Sequence, residues 1–369
     1  RRLMAPRARN IDVEPVPESD RIGELAHPRE RLELFGHTAA AQTLAAAARS
    51  GRLHHAWIIA GPKGVGKATL AWRFARALLA HGAAKCPDDL AVAAEHPMQR
   101  LVAALAHPDL LLIRRPWDTE RKRARTVVTV DEVRRLPAFF SQFASYDGPR
   151  IAIVDAADDM NTQAQNALLK ILEEPPARAL LLLISHAPGS LLPTTRSRCR
   201  MLALRALDAE PMRQAVAQLA PKVDEKQREL LCALAEGAPG RALELAETGA
   251  LDMYREIVGI LQDLPRLHAP KLFALAEKLA RASADRMAMF VGMLAQIEER
   301  VLRGTYAALP PVPGEEALLH QLRAAVPPDG WSRLWDDLRE QAIRADALNL
   351  DKKQLVLNTF FAIEAAAKR

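Results

Sequence analysis

The chain has 369 residues, of which 49% are hydrophobic and 26% are charged, the proportions of an ordinary soluble globular protein. These proportions exclude wholesale disorder and a fibrous repeat, and the length predicts two or three domains. The formal net charge of +6 permits work near nucleic acid but does not by itself indicate it.

The cysteine content and the apolar runs predict the compartment. Three widely spaced cysteines, Cys86, Cys199 and Cys232, are too few for a disulfide framework or a four-cysteine zinc site. The basic N-terminus lacks the apolar core of a secretory signal, and no uncharged apolar run reaches 18 residues. We therefore expect a cytoplasmic protein without a membrane anchor.

The first half of the chain alternates short apolar runs with helical stretches. Residues 1–25 are basic and then rich in proline and acid, which predicts a flexible tail, and a helical pattern extends over 27–50. The predicted strands are Ala56–Ala60, Leu110–Ile113, Ile151–Val154, Leu180–Ile184 and Met201–Leu204. Because strands that alternate with helices build parallel sheets, residues 26–206 are predicted to form one α/β domain.

After Leu207 the strand signals end. Residues 207–248 are predicted to form a small helical unit, and residues 249–369 a larger, purely helical domain rich in Leu, Ala, Arg and Glu. The expected architecture is therefore a parallel-sheet domain followed by two helical ones.

A glycine-rich loop, GPKGVGKATLA, follows the first predicted strand and precedes a helical pattern from Lys67 to Leu79. Gly61, Gly66 and Lys67 match the template of a phosphate-binding loop, and Gly64 lies between them. Glycines let backbone N–H groups point at phosphate oxygens, and a lysine at the helix start reaches the outer phosphates. The alternative is a strand-to-helix turn that binds nothing.

One position departs from that template. Ala68 stands where a hydroxyl would hold Mg²⁺, and Thr69 is rotated by roughly 100° around a helix from that position. We expect that phosphate binding can survive while metal-assisted hydrolysis is crippled, so that ATP or ADP remains an open possibility.

A second motif, residues 151–176, begins with a strand ending at Asp155, where a nucleotide-binding protein places its metal-associated acid. The next residue is Ala156, where an active ATPase of this layout would carry a glutamate. Asp158 and Asp159 are candidate substitutes, although an acidic helix start capped by Asn161 or Thr162 is the favoured interpretation.

The helix predicted over 162–174 ends on two glutamates, Glu173 and Glu174, before Pro175 and Pro176. The helix dipole disfavours anions at this end. Glutamates at this unfavourable position often indicate that the side chains contact another group. The alternative is that the helix end is simply solvated.

Two arginine motifs follow. The segment TRSRCR holds three arginines in five positions, either as a solvated rim or to place one guanidinium on a partner's phosphate. The segment GAPGR presents Arg241 at a helix start, which on its own favours a surface arginine at a helix boundary.

Taken in order, these motifs resemble those of the clamp-loader AAA+ family, in particular its delta-prime type in bacterial DNA polymerase III. The resemblance covers about residues 35 to 245 and rests on Gly36-His37, the Gly61 loop, NALLKILEEPP, Ser197-Arg198-Cys199 and Gly240-Arg241. The helical end of the chain matches only in character and position.

The resemblance implies a RecA-like AAA+ domain, a helical lid and a helical collar that joins five subunits in a ring. The family uses ATP to open the sliding clamp and place it on primer–template DNA. By resemblance, Arg198 is an arginine finger acting in trans on a neighbouring motor subunit, and Ser185 and Arg241 occupy nucleotide-sensing positions. The expected nucleotide contacts are Gly61, Gly64, Gly66, Lys67, Asp155, Ser185 and Arg241.

The delta-prime type is usually a stator without ATPase activity, which Ala68 and Ala156 fit. We expect no catalysis by the chain alone, but membership of the DNA polymerase III holoenzyme, a DNA-directed DNA polymerase (a nucleotidyltransferase), and of its clamp-loader ATPase at the replisome on the nucleoid. The expected partners are motor subunits and a clamp-opening subunit, with the clamp and DNA reached through the complex.

Many relatives carry a four-cysteine zinc insert after the phosphate-loop helix. Here that stretch holds Cys86 alone, with His81, Asp88 and His96 nearby, and four placed ligands are needed for structural zinc. We expect no metal. The basic stretch Arg114–Arg125 either contacts DNA or, as charge runs usually do, forms a solvated loop.

Two other functions stay open at this point. The chain could be an ATP-hydrolysing motor subunit in which Thr69 and Asp158 restore the metal site. It could also be a DNA-binding scaffold with a vestigial nucleotide loop that uses Arg121 and Arg123.

Overall fold

A computed structural model describes residues 17–23, 25–142, 144, 148–282, 284–303, 312–348 and 351–368. The tail predicted over 1–25 lies mostly outside these residues. The chain divides into two compact units: residues 1–62 with 67–205, and residues 63–66 with 206–369. Each unit is described by itself, and the three predicted domain limits stay predictions.

The first unit is built on a five-stranded parallel sheet. Its strands are β1 (Ala56–Ala60), β2 (Leu110–Arg114), β5 (Arg150–Asp155), β6 (Ala179–Ser185) and β7 (Arg200–Ala203). The order across the sheet is β2-β5-β6-β1-β7. A separate hairpin pairs β3 (Trp117–Asp118) with β4 (Arg123–Ala124).

All five predicted strands are confirmed to within a residue at either end. They were readable because β1, β5 and β6 are almost continuously buried, so that their sequences are unbroken apolar runs. The parallel ladders place the carboxyl ends of β1, β5 and β6 side by side, which is where open α/β sheets bind ligands.

Helices connect these strands. They are α1 (Thr38–Arg49), α2 (Lys67–His81), α3 (Pro97–Ala103), α4 (Val130–Val133), α5 (Arg135–Ser141), α6 (Thr162–Glu173) and α7 (Pro193–Ser197). The core between sheet and helices includes Ile58, Ile153, Leu168 and Leu183. The α/β fold class is confirmed.

The helix predicted over 27–50 is wrong in its first third. Residues 28–30 form a 3-10 turn, and α1 begins only at Thr38. Gly36 and His37 both have positive φ, 62° and 56°, which interrupts any helix before Thr38.

The second unit is helical in its described residues. The helices are α8 (Ala209–Leu219), α9 (Glu225–Ala235), α10 (Pro239–Thr248), α11 (Ala250–Leu261), α12 (Ala269–Ala280), α13 (Ala284–Arg303), α14 (Glu315–Ala325), α15 (Pro328–Leu348) and α16 (Lys352–Ala367). One apolar cluster runs from Met212 to Ile363. The predicted lid and collar therefore share a core.

Among the helices of the described ranges, none is both long and apolar enough to cross a membrane.

Candidate nucleotide site and arginine surface

The loop after β1 has the backbone geometry that its glycines predicted. Gly61, Gly64 and Gly66 have φ values of 150°, 80° and 110°. A Cβ on Gly61 would lie 2.5 Å from the carbonyl oxygen of Leu204. Only glycine adopts these φ values without strain or collision. The loop therefore has the glycine turns that are typical of phosphate-binding loops.

The lysine of this loop is turned onto the loop itself. Lys67 is only 3% exposed, and its Nζ donates to the carbonyl oxygens of Gly61, at 2.7 Å, and Pro62, at 2.6 Å. Burial lowers the pKa of Lys67 to about 8, against the opposing charges of Asp155 and Asp158. The ammonium group satisfies backbone acceptors that would otherwise lack a partner.

Asp155 ends β5 at the edge where the loop begins. Burial raises its pKa to about 7, and the charge of Asp20 adds to this effect while Lys67 opposes it.

This raised pKa predicts a pH dependence of stability. The folded protein keeps the Asp155 proton that the unfolded chain gives up above an ordinary pKa of 3.8. The stabilisation is therefore complete below pH 3.8 and is lost as the pH rises to about 7. A shift from 3.8 to about 7 corresponds to a loss of at most about 4 kcal/mol.

Asp155→Asn removes this ionisation, so its stability relative to the native chain should rise between pH 4 and pH 7 and then level off. Urea unfolding at a series of pH values measures the difference. The control is Asp131→Asn, whose side chain is 80% exposed and should show no such trend. Parallel profiles for Asp155→Asn and the native chain would contradict the assignment.

The segment just before residue 25 is tied to this edge, which the sequence reading missed. Arg114, at the end of β2, lies 2.6 Å from Oδ1 of Asp20 and 3.0 Å from Oε1 of Glu18. His27 Nε2 lies 2.9 Å from the other oxygen of Asp20. Hydrogen bonds from arginines, Arg29 first, outweigh burial and lower the pKa of Glu18 to about 2. Residues 18–20 are thus held by ion pairs.

The carboxylate of Asp158 accepts hydrogen bonds from the end of the neighbouring strand, β6. The hydroxyl of Ser185, the last residue of β6, donates to Oδ1 of Asp158 at 2.6 Å. The backbone N–H of His186 donates to Oδ2. Ser185 and Asp158 therefore lie at the same sheet edge as Lys67 and Asp155, but they bind each other.

Asp159 and Asn161 have structural roles. Asp159 forms an ion pair with Arg115 at 3.2 Å. The side chain of Asn161 accepts from the backbone N–H of Ala164 at 2.8 Å and caps α6. This is the capping interpretation that the sequence favoured.

The three arginines of TRSRCR have different surroundings. Arg196 is exposed. Arg200 lies over the ring of Trp57, with its guanidinium carbon 5.0 Å from the ring centroid. Arg198 lies just after α7, with Nη2 2.9 Å from Oε1 of Glu173 and Nη1 donating to the carbonyl oxygen of Thr194 at 3.0 Å.

Glu173 therefore has the contact that its position at a helix end indicated. An anion in the last turn of a helix costs about 0.3–1 kcal/mol. An ion pair between exposed side chains is worth a similar amount, so the arginine offsets the penalty. Glu174 is exposed, and no hydrogen bond or ion pair of its side chain is recorded among the described residues.

Arg241 lies in the second unit, near the start of α10. It lines a hollow of about 350 Å³ with Gln296, Glu298 and Leu302 of α13 among others. The backbone N–H of the preceding Gly240 donates to the carbonyl oxygen of Gly64, which belongs to the same unit, at 2.7 Å. The nucleotide-sensing role of Arg241 stays a prediction.

The basic stretch Arg114–Arg125 splits into two parts. Arg114 and Arg115 are tied to acids within the first unit, as described above. Arg121, Lys122 and Arg123 are exposed at the turn that joins β3 to β4. A contact of this turn with DNA stays a prediction.

The described residues place no three His, Cys, Asp or Glu side chains where they could hold a metal ion. Cys86 is buried, and burial raises the pKa of its thiol to about 11. His81 hydrogen-bonds with the backbone carbonyl of Ala91, and Asp88 forms an ion pair with Arg49.

The fold and this edge together define a class. The glycine-rich loop joins β1 to α2, and the acid Asp155 ends β5. The strand between β1 and β5 is β6, which ends on the hydroxyl of Ser185. These features make the first unit an α/β domain of the P-loop, AAA+ type.

Just under half of the chain is similar to a known family of DNA polymerase III subunits. Residues 36–208 match the family described as DNA polymerase III, delta subunit. A DNA polymerase III subunit delta' from Pseudomonas aeruginosa is 35% identical over 204 residues, covering 55% of this chain and 59% of that protein. The Escherichia coli K12 subunit delta' is 33% identical, covering 55% and 58%. The chain thus spans less than two thirds of these relatives.

A DNA polymerase III subunit gamma/tau from Mycobacterium bovis is 29% identical over 252 residues, covering 63% of this chain and 40% of that protein. Among solved structures, a gamma-subunit-related protein of Thermotoga maritima covers 88% of this chain and 99% of its own, with 18% identity and a TM-score of 0.42. Residues 36–208 are therefore similar to DNA polymerase III subunits, with a higher identity to the two delta' subunits than to the gamma/tau subunit.

Proposed function

We propose that this chain is a delta-prime-like subunit of the DNA polymerase III clamp loader, a stator that donates Arg198 in trans to the ATP of a neighbouring motor subunit. Its partners are motor subunits and a clamp-opening subunit in a five-membered ring. The ring loads the sliding clamp on primed DNA during replication in the cytoplasm, at the nucleoid. The chain works within the holoenzyme and turns over no ATP alone.

The observation that carries this proposal is the state of Arg198. Its side chain is 36% exposed and is held by one carboxylate and one carbonyl of its own chain. Arginine presents a planar, permanently charged fork that suits phosphate oxygens. A guanidinium at a developing phosphoryl charge stabilises the transition state without any chemistry of its own.

The chain's own loop supports the stator role. The glycine turns fit a nucleotide's phosphates, so ATP or ADP binding is part of the proposal. The metal that accompanies hydrolysis does not fit. Ala68 offers no hydroxyl, and Asp158 already accepts hydrogen bonds from Ser185 and His186.

The test separates a stator from a motor. The purified chain alone should show no ATP turnover, and adding it to the motor and clamp-opening subunits should raise DNA-stimulated ATPase. In a stator, Lys67 serves the fold. Lys67→Ala should therefore leave the rate of the assembled complex unchanged. The carbonyl groups of Gly61 and Pro62 lose their donor, at a cost of about 1 kcal/mol of stability.

The opposite pattern would identify a motor subunit. Brisk turnover by the isolated chain, abolished by Lys67→Ala, would mean that Thr69 and Asp158 restore the metal site. Unfolding measurements on the same variant show whether a lost rate reflects a lost fold. A complex that neither forms nor gains activity would favour the DNA-binding scaffold.

A further inference from the structure

Glu173 is placed to hold Arg198 before any partner is present. The two residues are 25 positions apart, and they meet because α6 ends where α7 ends. Nη2 of Arg198 lies 2.9 Å from Oε1 of Glu173, and Nη1 donates to the carbonyl oxygen of Thr194 at 3.0 Å. Two contacts on two different nitrogens fix both the position and the plane of the guanidinium.

This contact can be released readily. The side chain of Glu173 is 51% exposed, and water competes with any ion pair of that kind. A triphosphate presents more negative charge than one carboxylate and accepts the guanidinium fork bidentately. The glutamate can therefore orient the arginine without retaining it once phosphate oxygens arrive.

A contact that orders the Arg198 side chain before the reaction can raise the rate of ATP hydrolysis. A free arginine samples many rotamers, and ordering it at the moment of reaction opposes catalysis. A side chain already fixed at the surface avoids most of that loss.

We propose that Glu173 is a positioning residue: it presents the Arg198 guanidinium, pre-oriented, to the triphosphate of the neighbouring subunit. This inference rests on the proposed function of Arg198 and adds a residue to it. It also gives a role to an anion at the unfavourable end of a helix.

The test is a double-mutant cycle on the DNA-stimulated ATPase of the complete loader, assembled with clamp and primed DNA. Glu173→Ala should lower kcat by about three- to tenfold, the size expected for loosening one long side chain, with little change in KM for ATP. Glu173→Ala in an Arg198→Ala background should cause no further loss, because the glutamate acts only through that arginine.

The matched control is Glu174→Ala, which removes the adjacent exposed glutamate and should leave kcat unchanged. Equal losses from Glu173→Ala in both backgrounds would show a purely structural role and overturn the proposal. An unchanged or raised kcat would also overturn it, the latter by showing that the glutamate restrains the arginine.

These failures differ from failure of the proposed function. If Arg198→Ala alone leaves the complex fully active, the finger itself is wrong. If Arg198→Ala is damaging and Glu173→Ala is not, only the positioning role is lost.

Discussion

Replacing Arg198 with alanine is expected to slow hydrolysis at the motor site next to this chain by about 10³-fold or more, the range of an arginine supplied in trans to phosphoryl transfer. The DNA-stimulated ATPase of the assembled loader should lose the contribution of that site. The fold should survive, because the lost ion pair is partly exposed and worth at most about 1 kcal/mol. Steady-state ATP hydrolysis, with clamp and primed DNA present, measures the effect.

Two variants make this result specific. Arg198→Lys keeps the charge but loses the planar fork, so we expect only part of the rate to return. Arg196→Ala removes an exposed arginine from the same turn, and its effect should stay within about twofold, as for an ordinary surface substitution. Full activity of Arg198→Ala would refute the finger assignment.

The second large effect is expected at Gly61. Its φ of 150° is strained for any residue with a Cβ, and that Cβ would lie 2.5 Å from the backbone oxygen of Leu204. Strain and collision add, so Gly61→Ala should lower the free energy of unfolding by about 2–4 kcal/mol. Urea unfolding of the full chain measures this loss.

Gly51→Ala is the matched control for that variant. Gly51 also has a positive φ, 69°, but no atom lies within 4 Å of the added Cβ. Gly51→Ala should lower the free energy of unfolding by about 1 kcal/mol, the cost of a positive φ for a residue with a Cβ. Equal losses at the two glycines would mean that the carbonyl of Leu204 moves aside freely and that the loop is less rigid than its geometry indicates.

Lys67 and Arg198 are alike in that each contacts acceptor groups near it in the fold. In each case the cation contacts acceptor groups of its own chain. The lysine is buried and donates to two backbone carbonyl groups, whereas the arginine is half-buried and is held by one carboxylate and one carbonyl group. The arginine is therefore the cation that is more easily given to another molecule.

The sequence by itself determined the sheet, the loop and the two missing catalytic groups. Runs such as Ala56–Ala60 and Leu180–Ile184 are local signals, because a strand buried on both faces must be apolar throughout. The glycines of the loop and the identity of residues 68 and 156 are likewise read directly. The motifs also resemble those of the clamp-loader family, and the comparisons show the same similarity over residues 36–208.

Only the tertiary structure decided which side chains satisfy one another. Asp20 and Arg114 are 94 residues apart, and Ser185 and Asp158 are 27 apart. No local pattern encodes such pairs, since they depend on which strand ends the fold brings together. For the same reason the acidic segment before residue 25 was interpreted as a tail, and the sequence indicated a contact for the glutamates at the end of α6 without identifying Arg198 as the partner of Glu173.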